Sequence, residues 1–254
     1  MKIRVNTYWW NTTPNFGDTM TPFLIDRFAR LNAEWATVSH ADLVVGGSTL
    51  EHIPPLWDGV ILGSGKLYES SELHLHTGTM KVLAIRGPLS AKQCAPYKDF
   101  AIGDPGLLAS NLIPVQDKVY DLGIVPHWAD TDLAQRPEFY GDWETIVIDP
   151  RQSPISVICE MSRCQRIVTS SLHGLIIADS FAIPRRFEPA KYSRKAGLFK
   201  FLDYSASIHH HLEPGKMQQV ARLRVEDRRY ELFDAFGDLG KLFRERYRED
   251  STRD

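Results

Sequence analysis

Two runs of alternating strand-like and helix-like segments, separated by a polar, proline-containing stretch at residues 113–118, predict an α/β protein. The expected form is two Rossmann-like halves facing a cleft, followed by C-terminal helices. A further observation points the same way: most strand-like segments end in glycine, serine or turn formers, at the strand edge where open α/β sheets bind ligands. The expected organisation is an N-terminal half over residues 1–115, a second half over 116–215 and a helical segment over 216–254.

Residues 3–10, rich in β-branched and aromatic side chains, read as the first strand, and residues 11–18 (NTTPNFGD) as the loop leaving it. Phe23, Leu24, Phe28 and Leu31 then recur at helical spacing over residues 20–31. Asn15, Gly17 and Asp18 therefore sit at a strand's C-terminal edge. Asp18 also suits a helix N-cap, a role compatible with catalysis. Residues 42–46 and 60–65 are further short strands ending in small residues. Neither carries GxGxxG or GxxxxGK[ST], so a dinucleotide or Walker signature is absent. Residues 81–85 form another strand, which delivers Arg86 beside a helix opened by Pro88. Residues 101–108 read as a strand and turn broken at Asp104-Pro105-Gly106.

The pattern restarts after the linker. Residues 119–126 read as a strand ending in His127-Trp128, and 144–149 as a strand ending in Asp149-Pro150-Arg151. Residues 156–164 read as a helix with Ile158 and Met161 inward. The stretch RIVTSSLHGLIIADSFAIP, residues 166–184, carries the most chemistry. A buried strand runs into the Ser170-Ser171 turn, and His173 lies where the next helix opens. A serine there suits the N-cap, and the first helical turn offers free N–H groups and the positive end of the dipole to an anion. A basic, aromatic segment follows, with Arg185, Arg186, Lys191, Arg194, Lys195 and Lys200 close together. It reads as a solvated loop or as an anion-facing loop beside His173. In residues 216–250, a stripe including Leu232, Phe236, Leu239 and Phe243 reads as helix packed on a core.

Composition bounds the partners. The formal charge of −2 on 254 residues offers no general attraction to nucleic acid. Three cysteines make no disulfide framework and read as buried thiols. His209-His210-His211 and His74-x-His76 offer no complete ligand set, so no metal is expected. No apolar run approaches the ~20 residues of a membrane span, and the N-terminus carries no signal-peptide pattern. The expected location is the cytoplasm, with docking at the inner face of the plasma membrane compatible with it.

Taken together, N-x-G-D at residues 15–18, R-G-x-x-S at 86–90, the Asp104-Pro105 turn, S-S-L-H-G at 170–174 running to Pro184, and Y-S-x-K at 192–195 resemble the polysaccharide pyruvyl transferases. The resemblance covers roughly residues 1–205. Its last part is similar to ketolase-type members acting in exopolysaccharide synthesis. It implies a GT-B-like fold and transfer of pyruvate from phosphoenolpyruvate onto two hydroxyls of one sugar, forming a cyclic ketal and releasing phosphate. Phosphoenolpyruvate is then the donor substrate, no separate cofactor is expected, and the acceptor is a saccharide, free or lipid-linked. Carried over, Asp18 and His173 are the acid/base pair. Arg86 and Lys195 bind the donor, and Asn15, Gly17, Ser170 and Ser171 complete the site. Some members have an arginine where this chain has Ser171. The contact would then come from Ser170, Ser171 and the helix N-terminus, or from Arg185 and Arg186. Two other readings share this layout: a GT-B glycosyltransferase using a sugar nucleotide, and a binding protein of the same fold that has lost turnover.

Overall fold

The computed structural model describes residues 2–73, 79–94, 97–129, 132–190 and 197–251. The chain is α/β, with two sheets. The first has six parallel strands in the order β2-β1-β3-β4-β5-β6: β1 Arg4–Tyr8, β2 Asn32–Trp35, β3 Leu43–Val45, β4 Val60–Ser64, β5 Lys81–Ile85 and β6 Ala101–Ile102. The second has five strands in the order β11-β10-β9-β7-β8: β7 Tyr120–Val125, β8 Thr145–Val147, β9 Cys164–Thr169, β10 Arg185–Phe187 and β11 Met217–Gln218. Its strands are parallel except β11, which pairs antiparallel with β10. Central strands β3 and β4 are buried along their whole length, as covering both faces of a parallel sheet requires.

Strand order decides where a ligand can sit. In the first sheet β1 lies between β2 and β3, and in the second β7 lies between β8 and β9. The chain reverses its direction of winding at β1 and again at β7. Each reversal opens a crevice outside the C-terminal strand ends. The loops after β1, β3, β7 and β9 border these two crevices.

Several elements differ from the sequence reading. β2 went unrecognised because it is an exposed edge strand, NAEW, with no apolar pattern. The helix expected over residues 20–31 is shorter: α1 Phe16–Thr19 and α2 Thr21–Leu24 lead into a π-helical turn, Ile25–Ala29. Arg30, at φ 58°, then turns the chain into β2. Of the strand and turn expected over 101–108, the strand is Ala101–Ile102. Pro105 opens a 3₁₀ segment, Pro105–Asn111, and Asp104 caps it through Gly106 N–H at 2.8 Å. Pro88–Ala91 (α3) opens at proline as expected. Helix α4, Pro154–Ser162, begins earlier than expected because Ser153 caps it, accepting from Ser156 N–H. α5 is Leu172–Ser180 and α6 is Phe199–Ser207.

The last helix, α7 Arg222–Ser251, is one 30-residue element. Its buried Leu232, Phe236, Leu239 and Phe243 follow a 4-3-4 spacing that keeps them on one face. That face lies on the first sheet's side of the molecule, where Phe28 meets Phe233 and Phe236 edge-on or tilted at 5.3 and 5.6 Å. Glu231 accepts from Ile102 N–H, so α7 also covers edge strand β6. One contiguous apolar core contains Val5 and Leu62 from the first sheet, Ile158 and Leu175 from the second half, and Phe236 from α7. Cys94, Cys159 and Cys164 are free thiols, and burial pushes Cys94 and Cys164 up to about 12.

Candidate active site

A pocket of about 420 Å³ opens where the two crevices meet. The first half contributes Trp10, Asn15, Asp18, Ser48 and His52, and the second contributes His127, Trp128, Ser171, His173 and Lys200. Every one of the four loops bordering the reversals of winding supplies a lining residue.

Asn15 builds the first wall. As N-cap of α1 its Oδ1 accepts from Asp18 N–H at 3.1 Å, while its Nδ2 donates to Asp18 Oδ2 at 2.8 Å. The cap is therefore Asn15, and Asp18 stands within the first turn rather than capping it. The same residue thus ends the loop and aims the carboxylate. Gly47, at φ +65°, lets the chain pass Asp18: a Cβ there would lie 2.6 Å from Oδ1. Burial, the largest influence, raises the Asp18 pKa; His173, Asn15 and Lys200 act against it, and Asp104 adds to it.

His173 stands in the first turn of α5, on the opposite wall. The ring packs edge-on against Phe16, with centroids 6.3 Å apart. It also lies directly on Gly17, where a Cβ would come within 1.9 Å of Nδ1. Gly17 is thus the seat of the imidazole. Burial pushes His173 down to about 4; Asp18 opposes this, while Lys200 and Arg86 reinforce it. The imidazole is neutral at pH 7. Ser171 is the N-cap residue of α5, yet its side chain makes no capping bond, and its N–H donates instead to Thr169 Oγ1 at 3.0 Å. Ser170 is buried behind the wall, where its Oγ accepts from His127 N–H at 2.8 Å and ties the loop after β7 to that after β9.

Arg86 does not line the pocket. Its side chain is fully buried, and its guanidinium bonds Asp203 in α6, the Lys66 carbonyl at 2.5 Å and Ser48 Oγ at 2.7 Å. Asp203 in turn accepts from Leu89 N–H, Ser90 N–H and Ser90 Oγ. Arg86 thus joins β5 to α6 and reaches the pocket only through Ser48. Lys195, with Lys191, Arg194, His74 and His76, lies outside the described residues. Arg185 is buried in β10 and paired with Asp179, and Arg186 is paired with Glu188, so neither faces the pocket.

Among the described residues the cation that lines the pocket is Lys200, in the first turn of α6. Burial first, then Arg86, lower its pKa to about 8, with Asp18 opposing. In the sequence it was one of six basic residues with nothing to single it out. His52, Trp10, Tyr68 and Trp128 also line the pocket. Trp10 and the His127-Trp128 pair carried a signal, their place at strand ends. The arrangement places a carboxylate, a neutral imidazole and an ammonium around one cavity. That set can bind an anion and move a proton to and from it.

The model of the family described as polysaccharide pyruvyl transferase matches residues 3–186. The chain is 27% identical over 206 residues to the succinoglycan biosynthesis protein ExoV of Rhizobium meliloti (strain 1021), covering 79% of this chain and 64% of that protein. It is 29% identical over 161 residues to an uncharacterized protein of Acanthamoeba polyphaga mimivirus, covering 57% of this chain and 53% of that one. The chain spans less than two thirds of the length of these curated relatives. Among the described residues no helix is long and apolar enough to cross a membrane.

Proposed function

The chain belongs to the polysaccharide pyruvyl transferase family, and from that premise we propose that it moves pyruvate from phosphoenolpyruvate onto two hydroxyls of one sugar in a polysaccharide or its precursor. The acceptor is a saccharide, and the reaction is placed on the cytoplasmic side, where phosphoenolpyruvate is made. The halves carrying the site are taken as residues 1–115 and 116–215, with 216–254 as the helical segment. The observation that carries this reading is the Asp18–His173–Lys200 set around one cavity between the two sheets.

Phosphoenolpyruvate brings a carboxylate and a phosphate on three carbons. Lys200 supplies a point charge for it, and the amides at the start of α5 supply N–H donors. The anion's arrival favours the imidazolium over the neutral imidazole, so donor binding itself makes His173 ready to hold a proton. Protonation of the vinyl carbon makes a methyl group and a cationic carbon, which the first hydroxyl attacks. The second hydroxyl then replaces the phosphate. Two hydroxyl protons leave in all: one ends on the methyl carbon and one departs with the phosphate. Asp18 and His173 carry these transfers between them.

Calorimetry with phosphoenolpyruvate, and phosphate release in the presence of saccharide acceptors, test the reading. Saturable donor binding and acceptor-dependent phosphate release are expected. Binding of a uridine-diphosphate sugar with no response to phosphoenolpyruvate would instead indicate a glycosyltransferase.

Lys200 sets the pH dependence. Its lowered pKa means that the free protein loses this charge as pH rises through about 8, whereas the bound anion holds the proton on. The contribution of this group to donor affinity should be level below that pH and weaken above it by up to about tenfold per unit. Lys200→Arg, charged throughout, should flatten the profile, and Lys200→Met should weaken binding at every pH. An unchanged dissociation constant from pH 7 to 9.5 in the unmodified protein would remove Lys200 from the donor site.

A further inference from the structure

We propose that Trp10 and Trp128 form the seat of the acceptor's sugar ring, holding one pyranose against the Asp18–His173 pair while the rest of the saccharide leaves past Tyr68. This rests on the pyruvyl-transfer reading and adds the residues that would select the acceptor.

The pocket is lined by two chemical kinds of residue. Its lining joins charged and titrating groups, Asp18, His173 and Lys200, to the aromatic rings of Trp10, Trp128 and Tyr68. A three-carbon phosphate has no extended apolar face, so the donor gives two indoles nothing to do. A pyranose ring has an apolar C–H face and a polar hydroxyl rim, which matches an aromatic surface set beside a carboxylate and an imidazole.

The indoles are not core packing. Both are half-buried, and neither belongs to the apolar clusters that form the molecule's core. They come from opposite halves: Trp10 follows β1 and Trp128 follows β7, the two strands at which winding reverses. Each packs beside a histidine ring that also lines the pocket. Trp10 lies on the His52 ring at 5.7 Å with 35° between planes, and His52 Nδ1 is bonded to Tyr8 Oη at 2.8 Å. Trp128 lies on His127 at 5.3 Å and 33°, and His127 Nδ1 accepts from Ala129 N–H at 3.1 Å. Rings held in this way lose little freedom when a sugar stacks on them, which is the preorganisation a weakly interacting neutral ligand needs. Burial lowers the His52 pKa, against the opposing charge of Glu51, which favours a neutral ring beside Trp10. At about 420 Å³ the pocket is near the lower end for ligand sites. It suits the donor and one sugar ring rather than a buried oligosaccharide. Tyr68, 40% exposed at the rim, marks where a longer chain would emerge.

Saturation-transfer NMR on the full chain with phosphoenolpyruvate present tests this. The probes are methyl glycosides of glucose, galactose and mannose and their β-linked disaccharides. At least one should receive saturation at its ring C–H protons. Trp10→Ala and Trp128→Ala should each weaken its affinity at least about tenfold, and Trp10→Phe and Trp128→Phe should restore most of it. Phosphoenolpyruvate affinity, measured by calorimetry, should change less than about twofold in all four variants. Loss of donor binding in the unmodified protein would strike the pyruvyl-transfer reading itself. With donor binding intact, the proposal is overturned if no saccharide receives saturation, if the transfer persists undiminished in both alanine variants, or if the indoles respond to uridine diphosphate and not to sugars.

Discussion

Replacing His173 by alanine should lower phosphate release from phosphoenolpyruvate by ~10²–10⁴-fold, the usual contribution of a positioned acid–base group. The fold should survive. The imidazole sits at a pocket wall against Phe16 and Gly17 rather than at the centre of the core, so a stability loss of about 1–2 kcal/mol is expected. Donor binding should fall much less than turnover, because Lys200 and the first turn of α5 remain. That split distinguishes a proton carrier from a binding contact. His173→Gln, which keeps a polar side chain but cannot hold a proton near neutral pH, should be nearly as inactive as the alanine variant. Turnover close to that of the unmodified protein in either variant would remove His173 from the chemistry, leaving Asp18 as the titrating group beside the donor.

Arg86→Met should act on the whole fold. It would leave the Asp203 carboxylate fully buried with its hydrogen bonds from Leu89 and Ser90 but without its counter-charge. Breaking a buried pair from one side costs ~3–5 kcal/mol. For a chain of this length that corresponds to a drop in Tm on the order of 10 °C. Adding Asp203→Asn to Arg86→Met, which removes the unpaired charge but keeps a side-chain oxygen to accept from the Leu89 and Ser90 N–H groups, should recover part of the loss. Urea or thermal denaturation of the single and double variants checks this. A single variant within 1 kcal/mol of the unmodified protein, but with weakened donor binding, would return Arg86 to the substrate-binding role that its motif suggests.

The contrast between His173 and Arg86 shows what local sequence can carry. His173 was legible because its position follows from neighbouring residues alone: a β-branched strand, a serine turn and a helix opening. Asp18 was legible for the same reason, although Asn15 took the capping role expected of it. A cap is decided by which side chain reaches a particular N–H, and two polar residues three apart compete for that. β2 was missed because an exposed edge strand needs no apolar pattern. α7 is legible as core-packing helix because the stripe from Leu232 to Phe243 repeats its signal over about three turns. Sequence by itself therefore determined the class of the fold, the strand ends where chemistry gathers and two of the groups that meet there.

Tertiary structure alone decided which of the described cations reaches the pocket. Arg86 stands at a strand end like the other site residues, but its partner Asp203 is 117 positions further along the chain. No periodicity or spacing links the two. Once that pair forms in the interior, the guanidinium is committed and Lys200 is left as the described cation at the pocket wall. The meeting of the Trp10–His52 pair with the His127–Trp128 pair, on walls from different halves, arises in the same way. Such contacts belong to the packing of two sheets against each other, which the order of strands fixes and the local sequence does not record.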